Sequence, residues 1–130
     1  MKEITIIIIV IIIVSITSYT TQKYLETTSD EILSKLSDLR TEIEKTEENV
    51  NIDNATQKVE AIIKQWEVVN SKWSMLVIHE ELDNIELSLL ELKSCIKTKE
   101  LKDGLKEIDK SIFLVGHIKE KGRLKIKNIF

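Results

Sequence analysis

IHEELDNIELSLLELKSCI, residues 78–96, carries the clearest periodicity in this chain, with Ile78, Leu82, Ile85, Leu89, Leu92 and Ile96 spaced alternately by four and three. That spacing returns to one side of an α-helix every turn, so the stretch predicts an amphipathic helix with a single buried stripe. Working outward, the same pattern recurs. Val59, Ile62, Ile63, Trp66, Val69 and Trp73 form an earlier stripe whose phase (66, 69, 73, 76) does not continue into 78, 82 and 85. A break is therefore expected near Ser71 to Met75, although no Gly or Pro marks it. Trp66 and Trp73 share a face seven residues apart, which predicts packing between helices.

Upstream, Leu25, Ile32, Leu36, Leu39 and Ile43 line a first helix. Thr28 with Glu31 has the form of a capping box that would start a new helix, and an unbroken helix reaching about Glu48 fits equally well. Asn49 to Asn54, rich in Asn and Asp, is expected to end it. Asn54 followed by Gln57 predicts the next N-cap, a better account of Asn54 than the glycosylation pattern Asn54-Ala-Thr56. Downstream, Thr98 is read as the N-cap of a fourth helix bearing Leu101, Leu105, Ile108, Ile112 and Val115, closed by Gly116 in the left-handed conformation. Four amphipathic helices joined by short turns predict an all-α antiparallel bundle or stacked hairpins.

Before the bundle lies an apolar segment. No charge occurs between Glu3 and Lys23, and Ile4 to Val14 is Ile or Val except at Thr5. As a helix this run would span roughly 28 Å, close to the hydrocarbon thickness of a bilayer. In water so many β-branched residues would favour aggregation, whereas in lipid a helix satisfies its own backbone. A cleaved secretory signal shares this outline, but Ser15 to Ser18 lacks the small-residue cleavage pattern, so an uncleaved transmembrane anchor is expected. Lys2 and the amino terminus precede the segment, while Lys23, Glu26, Asp30 and Glu31 follow it. The positive-inside rule then predicts a single pass with the N-terminus cytoplasmic and the helical domain extracytoplasmic. The organisation expected is anchor 1–22, bundle 23–116 and basic tail 117–130.

The chain of 130 residues has a net charge of −3, no proline and only three glycines. Residues 117–130 hold Lys119, Lys121, Arg123, Lys125 and Lys127 against Glu120 alone, a local +4 on an otherwise acidic chain. An acidic body without interleaved aromatic and basic residues argues against nucleic-acid binding. Three scattered glycines that follow no strand argue against a nucleotide loop. Cys95, the single cysteine, permits no internal disulfide and is read as a small residue on a helix flank. Neither histidine sits in a nucleophile motif, and the abundant carboxylates are expected to be solvated, so no catalytic residue and no cofactor are implied.

His79, Asp83 and Glu86 fall at i, i+4 and i+7. They form half a metal site that His117 would have to complete, or else a polar seam that hydrogen-bonds across the bundle or faces water. Arg123-Leu-Lys-Ile-Lys-Asn-Ile-Phe130 alternates basic and apolar residues with the period of an extended segment. Arg123, Lys125, Lys127, Ile129 and Phe130 are the candidate interaction residues there, toward a partner's sheet edge, the bundle itself or anionic lipid.

Trp66, Trp73, the run His79 to Glu86 and the ending Lys127-Asn-Ile-Phe130 together resemble the bacterial family catalogued as domain of unknown function 4363. The resemblance implies a membrane-attached protein of Gram-positive, mostly spore-forming bacteria, often encoded beside another membrane protein. It implies no activity. A membrane-tethered, non-catalytic helical interaction module with a membrane or envelope partner is the function expected. An extracytoplasmic ligand- or metal-responsive sensor is the alternative.

Overall fold

The computed structural model describes residues 1–45 and 49–129, of which 124–129 in backbone only. Four helices follow one another: α1 (Lys2–Ile43), α2 (Ile52–Trp73), α3 (His79–Lys97) and α4 (Leu101–Ile129). No strand occurs among the described residues. Each helix packs on two neighbours, in the cyclic order α1, α2, α3, α4, with no close backbone approach across either diagonal among the described residues. Cross-helix pairs fix the directions. Arg40 reaches Asp109 while Lys119 reaches Asp30, so α1 and α4 run antiparallel. Lys58–Asp38 and Trp73–Thr28 do the same for α1 and α2. The result is an up-down-up-down bundle with short connections, the simplest way for four one-sided helices to bury their stripes.

The stripes read from sequence form most of the core, except that Ile78, expected to head the α3 stripe, is 64% exposed. Leu25, Ile32, Leu36, Leu39 and Ile43 of α1 are buried, as are Leu82, Ile85, Leu89, Leu92 and Ile96 of α3. Trp66 and Trp73 are buried edge to face with ring centroids 5.6 Å apart. Apart from Glu42, the buried polar residues are small, Thr28, Ser29, Ser88 and Ser111, and are bonded within the bundle. Ser88 Oγ and Ser111 Oγ lie 2.8 Å apart between α3 and α4, and Ser111 also donates to the Glu107 carbonyl. Their size lets two backbones approach, and their bonds offset desolvation.

At α1 the structure selects one of the two readings offered, an unbroken helix from the apolar segment to Ile43, and three other boundaries depart from the sequence reading. Thr28 is no cap; its hydroxyl donates to the Tyr24 carbonyl and accepts from Trp73 Nε1 at 3.0 Å inside the core. Glu48, the end expected for this helix, lies outside the described residues. α2 is capped by Asn51 and not Asn54: the Asn51 side chain accepts from the Asn54 backbone N–H at 3.0 Å. Half-buried Val50 and Ile52 pack on the core and draw the helix start forward.

Thr98 is not the N-cap of α4. It caps the C-terminus of α3, with its hydroxyl turned back to the Ser94 carbonyl. The next two residues complete a Schellman motif, Glu100 N–H to Cys95 carbonyl and Lys99 N–H to Ile96 carbonyl. Lys99 takes the left-handed position at φ 60°. A Cβ there costs about 1 kcal/mol relative to glycine. Lys99→Gly is therefore expected to raise bundle stability by up to about 1 kcal/mol, read as a higher urea midpoint at unchanged slope. A lower midpoint would refute the cap assignment.

The third departure concerns Gly116. It lies inside α4 without a positive φ, and the helix continues through Ile129. The expected extended tail is thus helical. Val115, Ile118 and Gly122 continue the buried face of α4 along α1, and a β-carbon at Gly122 would stand 2.7 Å from Gln22 Nε2 and 2.8 Å from Leu25 Cδ2. A glycine at this level lets α4 lie close against α1.

At the opposite end of the bundle Glu42 is nearly enclosed. The hydrogen bond from Lys45 Nζ (2.9 Å) holds its carboxyl below the usual glutamate range. The Lys45 charge, the Asn51 backbone N–H and Lys58 add to this against desolvation. A depressed folded-state pKa contributes stability that is present at neutral pH and is lost as pH falls through it. Glu42→Gln is expected to lower the melting temperature at pH 7. The gap from the parent should close on acidification from about pH 5 to pH 3. A gap independent of pH would show that the charge of Glu42 contributes nothing.

Candidate functional site at the base of the bundle

The first half of α1 projects from the bundle. Every residue from Ile4 to Val14 is exposed, the apolar ones each by half or more of their surface. Its hydroxyl residues do not interrupt the helix, because Ser15, Thr17, Thr20 and Thr21 return their protons to carbonyls four residues back at 2.7–2.9 Å. These four hydroxyls leave no free proton to desolvate on entering lipid. Of the described helices, α1 alone is long and apolar enough to cross a membrane, a property that an anchor and a signal sequence share.

Where α1 enters the bundle, three elements meet. The last turns of the uncharged run, the α2–α3 connection at 74–78 and the far part of α4 enclose a groove of about 430 Å³. Gln22, Leu25, Met75, Ile78, Glu81 and Gly122 are among its walls. Gln22 Nε2 is buried there with no hydrogen-bond partner among the described residues. Basic residues surround this end: Lys119 pairs with Asp30 at 2.5 Å, Lys121 with Glu81 at 2.7 Å, and Lys72 Nζ lies 5.2 Å from the centre of the Tyr24 ring.

The α2–α3 connection is unusual in composition. Leu76 and Val77 N–H groups both bond the Trp73 carbonyl, and Ile78 takes the N-cap position of α3 in extended conformation without a side-chain cap. Ser, Thr, Asp or Asn at that position would stabilise the helix by about 1 kcal/mol. Met75 and Ile78 are instead large, apolar and exposed, at 86% and 64%.

The sequence candidates are only partly assembled here. His79, Asp83 and Glu86 are exposed and face water. His117 stacks on Phe113 and comes within 4.0 Å of Glu81, not of Asp83 or Glu86. No group of three or more His, Cys, Asp or Glu suited to hold a metal occurs among the described residues. Arg123 is exposed and lies 3.5 Å from Glu120. Lys125, Lys127 and Ile129 are placed in backbone on the last turns of α4, their side chains outside the described part, and Phe130 lies outside it altogether. Cys95 is half-buried, and burial, with nearby carboxylates, pushes its thiol pKa up, which keeps the thiol protonated and poorly reactive.

Sequence reasoning missed Gln22, Met75, Ile78 and Gly122. One signal was available: the run Met75 to Ile78 is wholly apolar at a place where a turn must occur, and turns are ordinarily polar. The others depend on how α4 lies along α1.

The chain is thus an all-α protein whose bundle grows directly out of one long apolar N-terminal helix. It belongs to the family described as domain of unknown function (DUF4363), matched over residues 19–129. The match covers the bundle and leaves the apolar residues before Tyr19 outside it. Comparison with curated proteins and with solved structures found no match.

Proposed function

We propose that the protein is a membrane-tethered, non-catalytic helical interaction module. In this reading the N-terminus is cytoplasmic, the bundle is extracytoplasmic, and the partner is another membrane or envelope protein. The observation that carries the tether is the continuity of α1. The same helix that is exposed and apolar at Ile4–Val14 supplies Leu25 to Ile43 of the core, so the bundle is held to its anchor without a flexible linker. Partner binding is supported by Val68, Leu87, Leu90 and Phe113, large apolar residues exposed on α2, α3 and α4. The basic last turns of α4, with Arg123, Lys125, Lys127 and Ile129, add a second contact region together with Phe130, which follows them in sequence.

Orientation is tested first. A cysteine at Asn51 in a Cys95→Ser background is expected to react with a membrane-impermeant maleimide in intact cells; labelling only after lysis would place the bundle in the cytoplasm. For the partner, removing residues 124–130 is expected to release a protein that co-purifies with the full chain while the bundle stays helical. Undiminished recovery of that protein would exclude a role for the end of α4.

A further inference from the structure

We propose that the α2–α3 connection, Ser74 to Ile78, is a second membrane contact that seats the base of the bundle in the interface of the bilayer that α1 crosses. This rests on the reading of α1 as an anchor. The connection shares the walls of one groove with Thr17, Ser18 and Thr21, the last turns of the uncharged run. A helix that fills the hydrocarbon from Ile4 onward brings those turns to the boundary between acyl chains and headgroups. Met75, Leu76 and Ile78 therefore stand at the depth where apolar side chains leave water, at the level along α1 of exposed Ile16 and Tyr19.

Three further observations favour lipid as the occupant over a protein. The α1 helix is continuous, so the height of the connection above the bilayer is set by the helix and not by a linker. Exposed Lys23 lies on the turn just beyond the uncharged run, where a long side chain reaches headgroups while its stem stays apolar, whereas Lys119 and Lys121 are already paired with Asp30 and Glu81. Ile78 also occupies an N-cap where a polar residue would better serve the bundle in water. A departure from local preference at an exposed turn marks a residue held for contact. The carboxylates at this end do not block the approach: Glu81 is engaged by Lys121, and Glu80 opens α3, where the helix dipole favours it.

The test uses the full chain with Cys95→Ser and one new cysteine at a time, Ile9→Cys, Met75→Cys or Asn51→Cys. Each is labelled with an environment-sensitive fluorophore. The proteins are reconstituted in phosphatidylcholine vesicles containing a phospholipid with a nitroxide high on its acyl chain. Labels at Ile9 and Met75 are expected to emit at shorter wavelength and to lose most of their emission to the nitroxide, while Asn51, at the far end of the bundle, keeps its own. If Ile9 is quenched and Met75 is quenched no more than Asn51, the connection lies in water and the proposal fails. A blue-shifted but unquenched Met75 label would show that protein covers the connection, and would equally overturn it. An unquenched Ile9 would instead remove the anchor reading beneath.

Discussion

Trp73→Ala is expected to destabilise the bundle by about 3–5 kcal/mol, the range for truncating a buried aromatic to alanine. Against a typical domain stability of about 5–15 kcal/mol, that is enough to populate unfolded chain at moderate temperature. Trp73 is fully buried, stands edge to face with Trp66, and donates from Nε1 to Thr28 Oγ1 at 3.0 Å. Truncation opens a cavity where α1 and α2 meet and removes the aromatic pair. The two tryptophans differ in one respect that separates packing from hydrogen bonding. Trp66 Nε1 has no partner among the described residues. Trp66→Phe therefore removes an unsatisfied donor, while Trp73→Phe forfeits a satisfied one. Trp73→Phe is expected to be the more costly by about 1 kcal/mol. Urea unfolding in detergent micelles, followed by helical circular dichroism, measures both. Equal midpoints would mean that the Trp73–Thr28 bond contributes nothing net.

The tryptophans also show why much of the fold was legible. Where a helix buries large aliphatic or aromatic residues, spacing alone identifies its inner face, as the buried stripes of α1 and α3 demonstrate. The reading failed where the inner face is made of small or polar residues. In α4 the buried series runs Ile108, Ser111, Val115, Ile118, Gly122, with steps of three and four throughout. Ile118 continues that series past Gly116, so the spacing itself argues against a stop there; glycine's preference for helix ends outweighed it in the reading, although the helix passes through. The alternation after Gly122 misled for a related reason. Extending an existing helix adds one hydrogen bond per residue fixed, so a weak strand-like pattern does not overcome it.

Boundary errors had the same local character. Asn51 and Asn54 are equally good caps by residue type, and the choice is made by Val50 and Ile52 packing on the core. Lys99 at a left-handed position carries no compositional signal, since glycine is the usual occupant. The site was hidden more deeply. His79, Asp83 and Glu86 share a helix face as their spacing implies, but that face looks outward. The groove at the base of the bundle is drawn from α1, the α2–α3 connection and α4, segments separated by about fifty residues each, and no one-dimensional pattern joins them.

The proposed anchor is open to a decisive test, because the energetics of the apolar segment separate from those of the bundle. Each lysine at the centre of a membrane helix costs about 2.5–3.5 kcal/mol on insertion scales, while each Ile or Val contributes only about −0.3 to −0.6. The combined substitution Ile9→Lys and Ile12→Lys thus opposes roughly the whole contribution of the ten Ile and Val residues between Ile4 and Val14. The variant is expected to move from the alkali-resistant membrane fraction to the soluble one. Its bundle should unfold at the parent's urea midpoint, since Ile9 and Ile12 are each exposed by about half and are absent from the buried core. Retention in the membrane after alkaline extraction would assign the tether elsewhere, to the base of the bundle or to a partner. Intact-mass measurement of the parent protein recovered from membranes distinguishes anchor from signal: a chain beginning before Ile4 is expected, and one beginning after Ser18 would show that the segment is removed and that the bundle is held by other contacts.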